Sequence, residues 1–490
     1  RKLNPRQYIA FMSTGLNLGI LVTKFYQYIL ALVFAIREIN KNPKILTNIT
    51  LGFHIYDTYY DARLTYRVTL DLLFKSHQVV PNYSCDVEKN LIGIIGGLTF
   101  HTSSQIADIL HLYKIPQVGS SLFSPTLVFL FLWTVHSALH NTHLIYHGIV
   151  QLLLHFGWTW VGFMTLDDES GEYFLKTIEP MLSDKGICSA FTTKVPSNLP
   201  MSNFVDMYYY ILNSAPVVMM SKANVVVLYG DIVVIRWLTA IAWGVKLTEM
   251  ASGGKVWIIT AQTDFALNVL HKMWDIQFFH GAISFSVHSE ELLGFQEFPK
   301  NITPYKAKDD GFVTDFWEQA FDCFMPGSPE ATDNSSTCTG EEKLETLPRP
   351  FFEMTMTSFS YSIYNAVYTL ANVLNIYLSM SSLLDQIIFN EYGELISGLD
   401  ITNLVTFPNG SYARVKVGKL DPQALPDKMF SIDEEQLQWH KDLIQVGKYL
   451  FIYFYLFHDS GGEIIIYFYL FIYSIYIPPI WSVMTTLKKW

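Results

Sequence analysis

The sequence predicts an α/β protein of more than one lobe, each lobe a mainly parallel sheet with helices on both faces. Three observations carry this. Four short runs are apolar throughout, as strands covered on both faces must be. Stretches with helical hydrophobic spacing separate them, the alternation that crossover-connected parallel strands require. A length of 490 residues also exceeds what one ordinary core encloses, so the chain divides into two or three lobes.

The strand candidates in order are LIGIIGG (Leu91 to Gly97), WTWVGFMTL (Trp158 to Leu166), ANVVVLYG (Ala223 to Gly230) and KVWIITA (Lys255 to Ala261), each closing on Gly or a small residue. Amphipathic helices are expected over Lys24 to Asn40, Ser103 to Tyr113, Gly171 to Gly186, Asp264 to Trp274 and Ser360 to Leu374. Right-handed crossovers would set the strand carboxyl ends on one rim, where open α/β sheets bind ligands. After Leu374 two alternating strands flank a Pro-Asn-Gly turn, a pattern suited to an antiparallel addition to an existing sheet, where the chain crosses back between lobes. No repeat of solenoid period is present.

The formal charge of −11 and the lack of a basic stripe argue against nucleic acid as a partner, since phosphate neutralisation needs clustered Lys and Arg. Residues 1 to 40 show no secretory signal, so either the protein is cytosolic or its start is missing. Two features favour the second reading. Sequons occur at Asn48, Asn82, Asn301, Asn334 and Asn409, each near an expected loop or strand end. Of the four cysteines, Cys85, Cys188, Cys323 and Cys338, the last two close a polar loop with the look of a disulfide-tied excursion; four buried thiols are the alternative.

The stretch IIGGLTFHTSS sets paired glycines and then hydroxyls between a strand and a helix, a geometry that lets backbone N–H groups face a small carboxylate-like anion, although a Gly-Gly turn taken alone is more often structural. It is not GxGxxG, and no GxxxxGK[ST] occurs, which argues against a nucleotide site. Asp167, Asp168 and Glu169 stand where a buried strand opens to the rim ahead of a helix; they either cap that helix or recognise a cation, with Ca²⁺ at Asp167 and Asp168 as the one metal candidate. His136, His140, His143 and His147, spaced 4, 3 and 4, would line one helical face but lack the Glu of HExxH, so a solvated or packed face is preferred to zinc. No GxSxG, Ser-x-x-Lys or paired catalytic Cys and His is present, and the chain is expected not to be an enzyme and to carry no cofactor.

The stretches LALVFAIREINKNPKILTNITLGFHIYDTYYDARLTYR, ILHLYKIPQV, LLLHFGWTWVGFMTLDDESG, DKGICSAF, HGAISFSVHSEELLGFQEF, DFWEQAFDC, YSIYNAVYTLANVL and NLVTFPNGSYARVKVGKLDPQA, in that order, resemble the ectodomain of vomeronasal type-2 receptors over roughly residues 15 to 440. These are class C G-protein-coupled receptors, similar to calcium-sensing and metabotropic glutamate receptors. The resemblance implies a bilobed, periplasmic-binding-protein-like (type I) Venus flytrap: residues 1–141 and 286–398 in lobe 1, 142–285 and 399–440 in lobe 2, then a tail over 441–490. It implies a pheromone-type receptor at the extracellular side of the plasma membrane, a homo- or heterodimer partner, and coupling to a G protein only through a membrane domain that this chain lacks. A soluble or singly anchored binding or decoy protein is the alternative, as is a non-functional truncated receptor.

By the resemblance, the amino-acid-binding positions fall on Leu98, Thr99 and Phe100, then Ser121 and Phe123, then Thr142, Ser170 and Ala261, with Thr102, Ser120, Gln262 and Asp264 as neighbouring contacts. Phe100 stands where a hydroxyl is expected, and neither Thr142 nor Ala261 offers a negative charge to an ammonium group. A free amino acid would leave its ammonium unpaired at a cost of a few kcal/mol, so a peptide or small-protein cue is expected instead. The family would pair Cys323 with Cys338, leave Cys85 for an upstream cysteine and leave Cys188 for a following cysteine-rich domain.

The resemblance stops soon after IDEEQLQWH, and an aromatic run comes next. Ile464 to Ile477 is 14 uncharged residues, which as a helix would reach about 21 Å against a hydrocarbon core of about 30 Å. Tyr and Phe crowd its middle, where spanning helices favour Leu, Ile and Val. The tail is read as an aberrant terminus ahead of a marginal membrane anchor, and as an aggregation hazard if expressed.

Overall fold

The computed structural model describes residues 6–13, 23–46, 49–58, 62–73, 91–96, 100–113, 115–118, 142–196, 204–230, 232–247, 254–260, 276–292, 294–305, 312–328, 336–347, 352–379, 398–408, 411–425, 428–440, 448–458 and 464–474. The first sheet holds four parallel strands in the order β2 (Thr50–Asp57), β1 (Arg6–Ser13), β3 (Leu91–Gly96), β4 (Gln117–Val118). Helices α1 (Thr23–Lys41), α2 (Ala62–Leu73) and α3 (Phe100–Tyr113) connect them. Only β3 of these strands is legible as an apolar run.

The second sheet has eight strands. β5 (Trp160–Leu166), β6 (Cys188–Val195), β7 (Val225–Tyr229), β8 (Val256–Thr260) and β9 (Ile283–Val287) run parallel, in the order β6-β5-β7-β8-β9. β10 (Leu399–Thr406), β11 (Tyr412–Leu420) and β12 (Phe430–Ile432) then extend the sheet antiparallel, as the late alternating stretch predicts. α4 (Thr142–His155) precedes β5, and α5 (Glu169–Ser183), α6 (Phe204–Met219) and α7 (Ile232–Leu247) lie between the parallel strands.

The central strands show why their sequence is apolar at every position. Val161, Phe163, Val225, Val227 and Ile258 face a core shared with α4 and α5, while Met164, Val226, Leu228, Trp257 and Ile259 face a second core shared with α6 and α7. Each pleat alternates between two helix layers, so a polar residue on either face would be buried without water. In the first lobe α1 packs with α9 (Val313–Phe321) and α10 (Ser358–Ser379) over β3, and Tyr26 stacks on Phe316 with ring centroids 4.3 Å apart. Short helix α8 (Glu297–Lys300) docks here through Phe298, against Phe34 of α1.

Cys323 and Cys338 form the disulfide the resemblance implies. Among the described residues no helix is long and apolar enough to cross a membrane. The tail departs from the helical geometry considered for it: β13 (Lys448–His458) and β14 (Ile464–Ser474) pair as an antiparallel hairpin, the conformation that Tyr, Phe and Ile prefer. The helix expected over 264–274 lies outside the described residues.

Candidate functional site

Parallel strands in both lobes end toward the helix amino termini that come after them, and the candidate site is built at those ends. In the first lobe β3 stops at Gly96 and α3 starts at Phe100, with Thr102 and Ser103 buried in its first turn. Gln117, 1 % exposed on β4, fastens the two: its Nε2 donates to Gly96 O at 3.4 Å and to Ser103 O at 3.3 Å, and its Oε1 has no hydrogen-bond partner among the described residues.

In the second lobe Asp168 adopts extended backbone before α5 and its Oδ1 accepts from Gly171 N at 2.9 Å, an N-cap bond. Asp167 lies 3.9 Å from the Lys194 ammonium and Glu172 3.4 Å, and the Lys194 hydrogen bond holds the Glu172 carboxyl below its ordinary value. Asp168 therefore caps α5, and Asp167 and Glu172 pair with Lys194. Among the described residues no group of three or more His, Cys, Asp or Glu is placed to hold a metal ion.

Ser170 is half-buried at the start of α5, and its side chain acts on the hydroxyl of Tyr229, the last residue of β7. Tyr229 OH also meets Tyr146 OH of α4 at 3.2 Å, and its ring stacks on Phe174 at 4.1 Å. Burial pushes the Tyr229 hydroxyl up, with the bonds to Tyr146 and Ser170 pulling the other way, so it is a neutral donor and acceptor. Sequence reasoning missed this tyrosine pair. The available signal was position: Tyr229 is the terminal residue of an apolar strand immediately before a glycine, where a strand meets the rim.

The structure thus sets Ser170 beside Tyr229, which meets Tyr146, and buries Thr102 in the first turn of α3, whose Ser103 carbonyl accepts from Gln117. Phe100 and Thr142 are placed by backbone alone, as first residues of α3 and α4. Leu98, Thr99, Ser120, Ser121, Phe123, Ala261, Gln262 and Asp264 lie outside the described residues, as do Cys85, His136, His140, Asn48, Asn82, Asn334 and Asn409. His143 and His147 fall on α4, where His147 Nε2 lies 3.4 Å from Gln151 Nε2. Asn301 is exposed at the end of α8, and Cys188 is an exposed free thiol at the start of β6.

Two α/β lobes with site residues at their strand ends define a periplasmic-binding-protein-like ligand-binding module. Residues 29–408 match the family model described as receptor family ligand binding region, and the chain belongs to that family. It is 31% identical over 452 residues to vomeronasal type-2 receptor 26 of Mus musculus, covering 85% of this chain and 51% of that receptor. It is 26% identical to the extracellular calcium-sensing receptor of Homo sapiens, over 84% of this chain and 43% of the receptor. A metabotropic glutamate receptor of Drosophila melanogaster is 26% identical over 64% of this chain and 32% of its own length. The chain spans about half the length of the curated relatives it matches.

Proposed function

We propose that this chain is the extracellular ligand-binding part of a chemosensory class C receptor, of the pheromone-responsive type. It captures a guest between its lobes without transforming it. The family match over residues 29–408 carries this reading. The relatives' names are those of receptors and not of enzymes, which supports binding over catalysis. Guest capture acts by differential affinity: a ligand that touches both rims stabilises the closed form over the open one. Signalling then belongs to a membrane domain and a receptor partner beyond this segment, at the plasma membrane, with the lobes outside.

The guest is a peptide or small protein rather than a free amino acid. Phe100, Thr142 and Ala261 replace the groups that would hold an α-amino acid, and the second-lobe carboxylates Asp168, Asp167 and Glu172 already serve Gly171 and Lys194. An ammonium buried there without a partner costs a few kcal/mol, on the order of a hundredfold in affinity. Thermal shift with each of the twenty free amino acids and with a panel of short peptides tests this. Silence with all amino acids and stabilisation by a peptide is the expected result; stabilisation by a free amino acid rejects the peptide reading. Calorimetric titration of Ca²⁺ into the wild type and Asp168→Ala tests the cation alternative, with equal heats expected because Asp168 is a helix cap.

We also propose N-glycosylation at Asn301. Its side chain is exposed, and a mobility shift that endoglycosidase removes and Asn301→Gln abolishes is the expected signature. Glycans at Asn48, Asn82, Asn334 and Asn409 belong to the same proposal, as do lobe boundaries at residues 141, 285, 398 and 440.

A further inference from the structure

The outgoing and returning strands of the second lobe run side by side where they leave it. The β9–β10 ladder pairs Ser286 with Asp400 and Val287 with Leu399, and one residue further His288 N donates to Gly398 O at 3.0 Å. Past that point the chain enters the first lobe, where Phe295 is buried against Phe34. Among the described residues, the last side-chain contact between the two strands is His288 Nδ1 to Asp400 Oδ1 at 2.9 Å. Lys416 on β11 reaches the same oxygen from the other side at 2.7 Å.

We propose that His288, Asp400 and Lys416 form a proton-responsive clamp on the hinge: protonated His288 grips the returning strand, and its deprotonation loosens the two crossings. Asp400 has a side chain only 10% exposed and remains a carboxylate, whereas His288 is 41% exposed and exchanges protons with solvent. The groups that act on His288 are Asp400 from β10, Lys416 from β11 and Glu290 from its own crossing. The bond to Asp400 raises His288 above its ordinary value, with burial and Lys416 opposing. A raised value in the folded state means that the contact is fully present below about pH 6.5, the unfolded value, and is lost as pH rises through the folded one. Loss is graded rather than complete. Neutral imidazole still donates from Nδ1 but without charge assistance, and Lys416 keeps Asp400 paired.

Hydrogen exchange of the full chain, corrected for intrinsic rates and followed from about pH 5.5 to about 8.5, reads the clamp directly. No ligand is present, so the outcome is independent of the proposed guest. Protection at residues 286–290 and 398–400 is expected to fall severalfold with rising pH in the wild type and to be flat in His288→Gln. Lys416→Met removes the cation that opposes His288, so the midpoint moves to higher pH while the fold is retained. A flat wild-type profile, a pH dependence that survives in His288→Gln, or a midpoint in Lys416→Met that stays or falls would each overturn the proposal.

Discussion

Arg414 on β11 and Glu353 ahead of α10 form an ion pair of 3.7 Å that joins the second lobe to the first. Both side chains are 23% exposed, and the guanidinium also lies 5.2 Å from the Tyr412 ring centre. Glu353 is itself fixed, since the buried Gln27 donates to the carbonyls of Glu353 and Thr355 at 2.6 and 3.0 Å. A contact between rigid groups on separate lobes biases their relative position. Arg414→Glu is expected to shift the balance toward separated lobes by about fivefold, the equivalent of about 1 kcal/mol for a partly exposed pair. Small-angle scattering would record a larger radius of gyration, and the exchanged pair Arg414→Glu with Glu353→Arg should return it toward the wild type.

Glu342 closes the disulfide loop of the first lobe. Its carboxylate accepts from Trp317 Nε1 at 2.6 Å, Thr339 N at 2.6 Å and Gly340 N at 2.8 Å. Burial alone would raise this carboxyl, but the bonds from Trp317 and Thr339 outweigh it and bring it down to about 2 from an ordinary 4.5. A depressed value means the contribution is present above pH 4.5 and is lost as pH falls toward 2. Glu342→Gln should lower the melting temperature at neutral pH and flatten the acid limb between those values. A melting profile superimposable on the wild type at every pH would refute this.

The same loop is tied by Cys323 and Cys338, separated by 15 residues. Closing a loop of this length restricts the unfolded chain by about 3 kcal/mol. Cys323→Ala with Cys338→Ala is expected to reduce the denaturation free energy by about that amount. The pair belongs to the same buried cluster as Trp317 and Phe316, so part of the loss will be apolar contact.

Sequence and structure agree most where a single physical demand acts on consecutive residues. Val225 to Leu228 must satisfy two helix layers at once, which leaves no polar option and makes β7 legible. β1 and β2 were missed because RQYIAFMS and TLGFHIYD carry polar residues among the apolar ones, and their pairing depends on β3, far along the chain. β6 was missed for a related reason: it is an edge strand, mostly open to solvent, and reads CSAFTTKV. At the site, Ser170 was legible by resemblance, but the partners that fix it were not, since Tyr146 and Tyr229 are 83 residues apart and meet only in the fold. The role of Asp168 was legible as one of two alternatives, helix cap or cation contact, and the structure shows the cap bond to Gly171.

Gly171 permits that cap. A Cβ there would stand 2.0 Å from Leu166 O and 2.5 Å from Thr165 Oγ1, and Leu166 O is backbone that cannot turn aside. Gly171→Ala would push α5 off the end of β5 at a cost of about 1–3 kcal/mol. Ser170 moves with it, away from Tyr229. The expected readout is a lower melting temperature together with loss of any ligand-induced stabilisation; Asp168→Ala, which removes only the cap, should cost about 1 kcal/mol and leave the rim in place.

Asn403 governs how the segment after β12 leaves the second lobe. It is fully buried on β10; its Nδ2 donates to Ala282 O at 3.3 Å and to Gln438 O at 3.2 Å, and its Oδ1 accepts from Gln438 N at 2.9 Å. The segment lies so close that a Cβ on Gly281, at φ +82, would meet His440 N at 2.8 Å and Gln438 O at 2.9 Å. Trp439 then packs edge-on against Phe156 and Trp158, and Glu434 Oε1 lies 2.8 Å from His155 Nε2. Asn403→Leu keeps an apolar side chain in the sheet but leaves both Gln438 backbone groups unpaired, a loss of about 2–3 kcal/mol. Any motion of the second lobe reaches residues 433–440 through this attachment, so the substitution should uncouple the segment from the lobe while the sheet survives. Limited proteolysis is expected to cut within residues 433–440 far faster in Asn403→Leu than in the wild type, with β10 and β11 still protected from hydrogen exchange. Trp439→Ala, which removes the aromatic packing and spares the Asn403 bonds, should give a smaller increase; equal cleavage of all three proteins would mean that the segment is held by something other than Asn403.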